Sequence, residues 1–175
     1  AVRNSAGLFD ISHMGEIRIR GEAAELLDYA LVSKLSGMKD GKAKYSMICN
    51  ADGKVIDDLI VYRIQSDEYL IVANAGNRHA VLVQLQNAAE HFDVEVRDES
   101  DEWVLLALQG PKATAVLNEF VDIDLDPLSY YSIASGKIGQ TEVLLARTGY
   151  TGEDGFEIFI PDTEALKIFR ALAVR

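Results

Sequence analysis

Cysteine occurs once in the 175 residues, at position 49. A single thiol builds neither a disulfide framework nor a cysteine-based zinc site. It fits a reducing, cytoplasm-like compartment. Positive charge is also scarce: 17 Lys and Arg against 28 Asp and Glu leave a net charge of −11. Nucleic acid is held chiefly by clustered Lys and Arg on its phosphates, and basic residues here are not interleaved with aromatic ones, so no nucleic-acid partner is expected. No apolar run approaches the roughly 18 residues of a membrane span, and no secretory signal opens the chain. Low-complexity linkers and fixed-period repeats are missing too. Hydrophobic residues, at 49%, are enough to build a globular core.

Both ends read as cut. There is no initiator Met, and "TEALKIFRALAVR" stops without the Gly or Asn that commonly closes a helix. Its helical period groups Leu166, Phe169, Leu172 and Ala173. An internal fragment is expected, with Leu166, Phe169 or Leu172 left partly exposed.

Period-two runs and turn signals mark strands at "EIRIR", "AKYSMICN", "VIDDLIVYR", "YLIVAN", "VEVRD", "WVLLALQG" and around 131–134, 142–147 and 156–160. The Asp-Gly pair in "ADGK" predicts a hairpin between the second and third of these. Helical spacing predicts helices over 23–35, about 77–92, after Pro111, and at the end of the chain. Helices and strands do not alternate with the regular period of a doubly wound sheet. Too many hairpins occur for an all-parallel one. The expected class is α+β, with mostly antiparallel sheets covered by helices.

Three stretches carry candidate chemistry. In "GKVIDDLIVYR" two acids, Asp57 and Asp58, stand inside an apolar strand. Strand alternation puts Asp58 with Ile56, Ile60 and Tyr62, and Asp57 with Val55, Leu59 and Val61. Either one acid serves as a general base or ligand anchor in a pocket, or both belong to a solvated hairpin stem. In "RTGYTGEDGFEIFIP" three glycines shape an irregular loop with Tyr150 at its tip and Glu153, Asp154 and Glu157 around it. The spacing is not that of a calcium loop, and a phosphate cradle would need a lysine that is missing. Carboxylates there suit a neutral or cationic group such as an aminopyrimidine, or they are simply solvated. In "GLFDISHMGEI", Asp10, His13 and Met14 crowd one loop, whereas triad members converge from distant positions. His79 and His91 lie near the two ends of one helix, form no metal motif, and read as surface residues.

Taken in order, "GLFDISHMGEI", "IDDLIVYR", "YLIVANAGN", "LLALQGP" and "ARTGYTGEDGFEI" resemble the consecutive motifs of the glycine-cleavage T-protein family, the tetrahydrofolate-dependent aminomethyltransferases. The resemblance covers the chain from Gly7 to the last helix. It implies one folate-binding region over 1–175, with an inner lobe at about 50–135, lacking the N-terminal start, a downstream arginine contact and a C-terminal barrel. It implies transfer of a one-carbon unit from the aminomethyl-lipoyl arm of the H-protein to tetrahydrofolate, with release of ammonia. Catalysis falls on Asp58, and tetrahydrofolate contacts fall on Met14, Tyr45, Asp58, Asn74, Tyr150 and Glu157. No metal is implied. The fragment alone is expected to fold without catalysing. The sequence departs from the family at Lys54, where a second glycine is common, and near His79 and Ala80, where an acidic residue is common. Alternatives sharing the fold are the folate-dependent demethylating domain of a sarcosine- or dimethylglycine-oxidising enzyme and a non-enzymatic folate-binding protein. The latter carries a cysteine in the "GYTGEDG" region, which this chain does not.

Overall fold

The computed structural model describes residues 1–174 as two units, 1–12 with 101–174, and His13–Ser100. The class is α+β with two five-stranded sheets, and every pairing between strands is antiparallel.

The His13–Ser100 unit contains β1 (Gly15–Gly21), α1 (Ala23–Ala30), β2 (Lys42–Cys49), β3 (Val55–Gln65), β4 (Glu68–Ala73), α2 (Arg78–Ala89) and β5 (Val94–Asp98). The strand order is β2-β3-β4-β1-β5. One sheet face is apolar: Ile17, Ile19, Leu59, Val61 and Ile71 pack with Leu26 and Leu27 of α1 and Val81 and Leu85 of α2. Full burial of each such side chain contributes about 1.5–3 kcal/mol. Helix α1 stops at Ala30, five residues short of the sequence expectation. Beyond it the Asp28 carboxylate accepts the Leu35 and Ser36 N–H groups, and Leu31 forms a bridge with Ile48, so pairing with the sheet replaces another helical turn.

The expected hairpin is present between β2 and β3. Asn50 Oδ1 accepts the Asp52 and Lys54 N–H groups, and Gly53 takes the left-handed backbone the turn requires. The register slips between Ile48/Cys49, where Ile48 faces Asp57 but Cys49 faces Val55. This bulge corrects the simple alternation read from sequence. Ile56 packs against the helix-covered core rather than sharing the face of Asp58. From Asp57 to Arg63 the alternation holds.

The opposite face of this sheet carries an ionic network. Arg18 bonds Glu68 at 3.2 Å and Glu99 at 3.1 Å, and Arg20 bonds Glu68 at 3.0 Å. Arg18 and Glu99 are buried, whereas the Arg20 side chain is 45% exposed. Removing one partner of a buried pair strands the other charge. Arg18→Ala is therefore expected to lower stability by about 3 kcal/mol, at the low end of such losses because Arg20 stays beside both glutamates. Arg20→Ala should cost less than about 1 kcal/mol. Urea midpoints test the pair, and equal shifts would show that burial does not set the cost.

The other unit contains β6 (Gly7–Asp10), β7 (Trp103–Gln109), α3 (Ala113–Asn118), β8 (Ile133–Ile138), β9 (Thr141–Ala146), β10 (Gly155–Pro161) and α4 (Asp162–Ala173), with sheet order β6-β7-β10-β9-β8. Leu106, Leu108, Phe156, Ile158 and Ile160 of its sheet pack on Leu117 of α3 and Ile168 of α4. Strand β6 lies within a stretch expected to be one loop. Its residues pair with β7 along Gly7↔Gln109 to Asp10↔Leu106. Strand β8 starts at Ile133, after Tyr131, whose φ of 59° breaks the extended run. Helix α4 buries Ala165, Ile168 and Leu172, sharing only Leu172 with the set grouped from sequence. It follows β10 without a linker, and the Asp162 N–H bond to the Glu102 carbonyl fixes its phase. Leu166 and Phe169 are exposed, and Leu172 is buried.

Candidate functional site

Asp57 and Asp58 occupy successive positions of β3 and face opposite ways. Asp57 is 3% exposed and lies on the helix-covered side. Its carboxylate is satisfied three times. Oδ2 accepts the Asn74 N–H at 2.8 Å, and Oδ1 accepts Asn74 Nδ2 at 3.0 Å and Asn77 Nδ2 at 2.7 Å. Buried carboxylates persist when paired in this way. Asp58 is exposed on the other side. The Tyr45 hydroxyl donates to its Oδ2 at 3.1 Å, and Asn74 Nδ2 donates to its Oδ1 at 3.0 Å and to its carbonyl at 2.8 Å. Tyr45 reaches it because Tyr45 faces Ile60 and Met47 faces Asp58 across the β2–β3 ladder. The hydrogen bond to Asp58 raises the Tyr45 phenol above its usual range, so it stays protonated and donating. The site is thus a carboxylate open to solvent and oriented by two donors. Of the sequence-derived set, Tyr45, Asp58 and Asn74 are joined directly. Met14 is half-buried, one residue before β1.

The other unit holds Tyr150 and Glu157. Glu157 lies on β10 between two alanines, facing Ala107 of β7 and Ala146 of β9. Phe9 faces Ala107 from the far side. The small side chain of Ala107 leaves a cavity of about 240 Å³, whose walls include Phe9, Ile11, Tyr150 and Glu157. Glu157 is 6% exposed, and the Thr148 hydroxyl donates to its Oε2. Tyr150 is 68% exposed at the rim.

The three acids of this loop separate by role. Arg147 holds Asp154 with two hydrogen bonds, 2.9 Å from Nε and 2.5 Å from Nη2, and keeps its carboxyl below the usual range. Glu153 pairs with Arg3 at 2.9 Å. Only Glu157 lines the apolar cavity.

Sequence reasoning missed Gln109, which holds this loop in place. It is 1% exposed, its Nε2 donates to the Thr148 carbonyl at 2.9 Å, and its Oε1 accepts the Thr151 hydroxyl at 2.8 Å. A side chain at Gly149 would overlap that amide, which is why the loop needs glycine there. The available signal was an amide ending the otherwise apolar run "WVLLALQ". Asp10 does not build a triad. Its carboxylate accepts the Ser12 N–H at 3.0 Å and hydroxyl at 2.6 Å in a local turn, and His13, His79 and His91 are exposed. Among the described residues no cluster of His, Cys, Asp and Glu suits a metal ion, and no helix is long and apolar enough to cross a membrane.

Residues 1–174 match the family model described as the GCVT N-terminal domain. An aminomethyltransferase of Streptomyces coelicolor is 51% identical over 173 residues, spanning 98% of this chain and 46% of that protein. One from Thermotoga maritima is 44% identical, spanning 98% and 48%. The crystal structure of glycine cleavage system aminomethyltransferase T from Bartonella henselae superposes with a TM-score of 0.89 at 39% identity, covering 98% of this chain and 46% of that one. Heterotetrameric sarcosine oxidase from Corynebacterium sp. U-96 gives a TM-score of 0.77 at 21% identity over 98% of this chain and 84% of that one, a likeness of fold. The chain spans about half the length of the aminomethyltransferases it matches.

Proposed function

This chain belongs to the GCVT N-terminal domain family, and from that membership we propose that the complete protein is a tetrahydrofolate-dependent aminomethyltransferase of the glycine cleavage system. Its donor is the aminomethyl-lipoyl arm of the H-protein, its acceptor is tetrahydrofolate, and ammonia is released. The observation that carries this reading is the solvent-open Asp58 carboxylate, held by Tyr45 and Asn74 on an otherwise well-packed strand. Identity of 51% to a named aminomethyltransferase supports it. The demethylating alternative has only a likeness of fold behind it.

Tetrahydrofolate supplies the nucleophilic nitrogen. That nitrogen sheds a proton as it bonds to the one-carbon unit. A second folate nitrogen does the same while the carbon's bonds to the lipoyl sulfur and to the amino nitrogen break, so the two protons leave on the reduced lipoyl thiol and on ammonia. Asp58 is assigned to accept a proton in this exchange or to stabilise positive charge on the transferring carbon. General-base assistance is worth about 10²–10⁴-fold. Holding two reactants together supplies more, so orientation of the carboxylate matters as much as its basicity. Met14 and Asn74 are assigned to contact the folate. The residues of the cavity fit a pterin: its apolar walls suit the ring faces, Tyr150 stands at the rim, and Glu157 is placed to accept from an aminopyrimidine edge.

Glu157→Gln tests the pterin assignment. A charge-assisted hydrogen bond contributes about 1.5–3 kcal/mol, so affinity for tetrahydrofolate should fall about ten- to hundredfold. The rate from the bound state should change less. Calorimetric titration of the complete protein measures the first quantity and single-turnover kinetics the second. An unchanged dissociation constant would remove Glu157 from the binding set.

A further inference from the structure

We propose that Asp57 is a positioning residue that fixes the Asp58 carboxylate through the side chain of Asn74. The proposal rests on the assignment of Asp58 as the working carboxylate.

The geometry runs as a chain of bonds. Asn74 Nδ2 carries two hydrogens and faces three oxygens, Asp57 Oδ1 at 3.0 Å, Asp58 Oδ1 at 3.0 Å and the Asp58 carbonyl at 2.8 Å. A carbonyl and an ionised carboxylate only accept, so the amino end of Asn74 is the end that fits among them. Asp57 Oδ2 holds the same residue by its backbone N–H at 2.8 Å, which stops Asn74 from swinging away as a whole. Asn77 donates to Asp57 Oδ1 at 2.7 Å and anchors the turn from β4 into α2 at its far end. Asp57 therefore selects which end of the Asn74 amide points at Asp58 and where that amide sits. Asp58 is left with one oxygen on Asn74 and the other on Tyr45.

A neutral amide at this position cannot do the same. An asparagine side chain has one accepting oxygen where Asp57 has two. Three donor contacts from Asn74 and Asn77 converge on that carboxylate, so the new amino group opposes at least one donor. With its oxygen kept on the two side-chain amides the new amino group opposes the Asn74 backbone N–H and displaces the residue, and turned round it opposes the Asn74 and Asn77 side chains. Either way Asn74 Nδ2 moves from Asp58. This also accounts for the adjacency of the two acids. Strand alternation sends them to opposite faces, and Asn74, at the sheet end beside them, bonds to both.

The test uses Asp57→Asn and Asn74→Ala, singly and together, in the complete protein, with tetrahydrofolate and aminomethyl-loaded lipoyl carrier protein. Asp57→Asn should lower kcat about ten- to hundredfold, the size of one charged hydrogen bond, with KM for tetrahydrofolate changed less than about threefold. In the Asn74→Ala background the same change should cost less than about threefold further, because the link is already cut. Full kcat in Asp57→Asn, or an undiminished penalty in the double variant, overturns the proposal. If Asp57→Asn does not fold by circular dichroism, Asn74→Ala alone decides. It keeps the backbone bond to Asp57 and removes the side-chain bonds to both aspartates along with the assigned folate contact. An unchanged kcat in it is therefore equally fatal, and the loss that supports the proposal is one in kcat beyond any change in KM. Asp58→Asn is measured in parallel. Retained turnover there overturns the assignment of Asp58 itself, whereas lost turnover with additive penalties at Asp57 and Asn74 overturns only the coupling.

Discussion

Asp58→Asn is expected to lower aminomethyl transfer by about 10²–10⁴-fold, the range set by loss of a general base, with the fold intact. The substitution is nearly isosteric and the residue is exposed, so no core contact is lost. Two donors face the carboxylate, Tyr45 Oη and Asn74 Nδ2. An amide in its place keeps one accepting oxygen and turns its amino group on the other donor or into solvent. The structural cost is local, and the expected chemical cost is that of the role proposed for Asp58 in the transfer. Asp57→Asn should cost less in rate and more in stability, since Asp57 is buried under three hydrogen bonds and does not meet solvent. The check is the initial rate of methylenetetrahydrofolate formation by each variant of the complete protein, beside its urea midpoint. If Asp58→Asn loses no more rate than Asp57→Asn, the division of labour between the two faces of β3 is wrong.

The opposite facing of the two acids was legible in the sequence. Period-two alternation separated the two acids correctly, because beyond the bulge the β3 strand is regular from Asp57 to Arg63. It failed at Ile56, because a bulge inserts one residue and shifts everything before it, and nothing in "GKVID" announces that. Strand β6 was missed because four residues give no period. Only its partner β7, about a hundred positions away, makes it a strand. The five-residue overreach at the end of α1 has a similar origin. Leu31 and Leu35 keep helical spacing, but both are buried through β2 and the Asp28 turn rather than through a helix face. Local pattern reports which residues go inside, and distant pairing decides in what conformation. Asp58, Tyr150 and Glu157 stood out locally as acids in an apolar strand or around a glycine-rich loop tip, whereas Tyr45 and Asn74 came from resemblance alone, since neither carries a periodic signal. Gln109 and Asn77 were out of reach for another reason: each acts by bonding a residue distant in sequence.

Glu16 was equally unreadable, and it carries the largest expected effect on stability. In "EIRIR" it looks like the polar face of an amphipathic strand, yet it is 0% exposed and, among the described residues, neither side-chain oxygen has a hydrogen-bond partner. Burial, reinforced by the nearby Asp98 and opposed by Arg78, raises its pKa from 4.5 to about 8. A raised carboxyl pKa means that the folded state holds the proton more tightly than the unfolded state does. Its stabilising contribution is therefore complete below about 4.5, shrinks as pH rises, and is gone above about 8. Each pH unit crossed in that window removes up to about 1.4 kcal/mol, and the full window roughly 3–5 kcal/mol. Glu16→Gln keeps the shape and the neutral state at every pH. The variant should match the parent near pH 5, where Glu16 is protonated in the fold. It should become progressively more stable than the parent toward pH 8.5. Urea midpoints of the two proteins measured side by side from pH 5 to 8.5 give this difference directly, because every other titrating group is common to both. A difference that stays flat with pH would mean that Glu16 is ionised throughout, and Arg78 would then be its counter-charge rather than a minor influence.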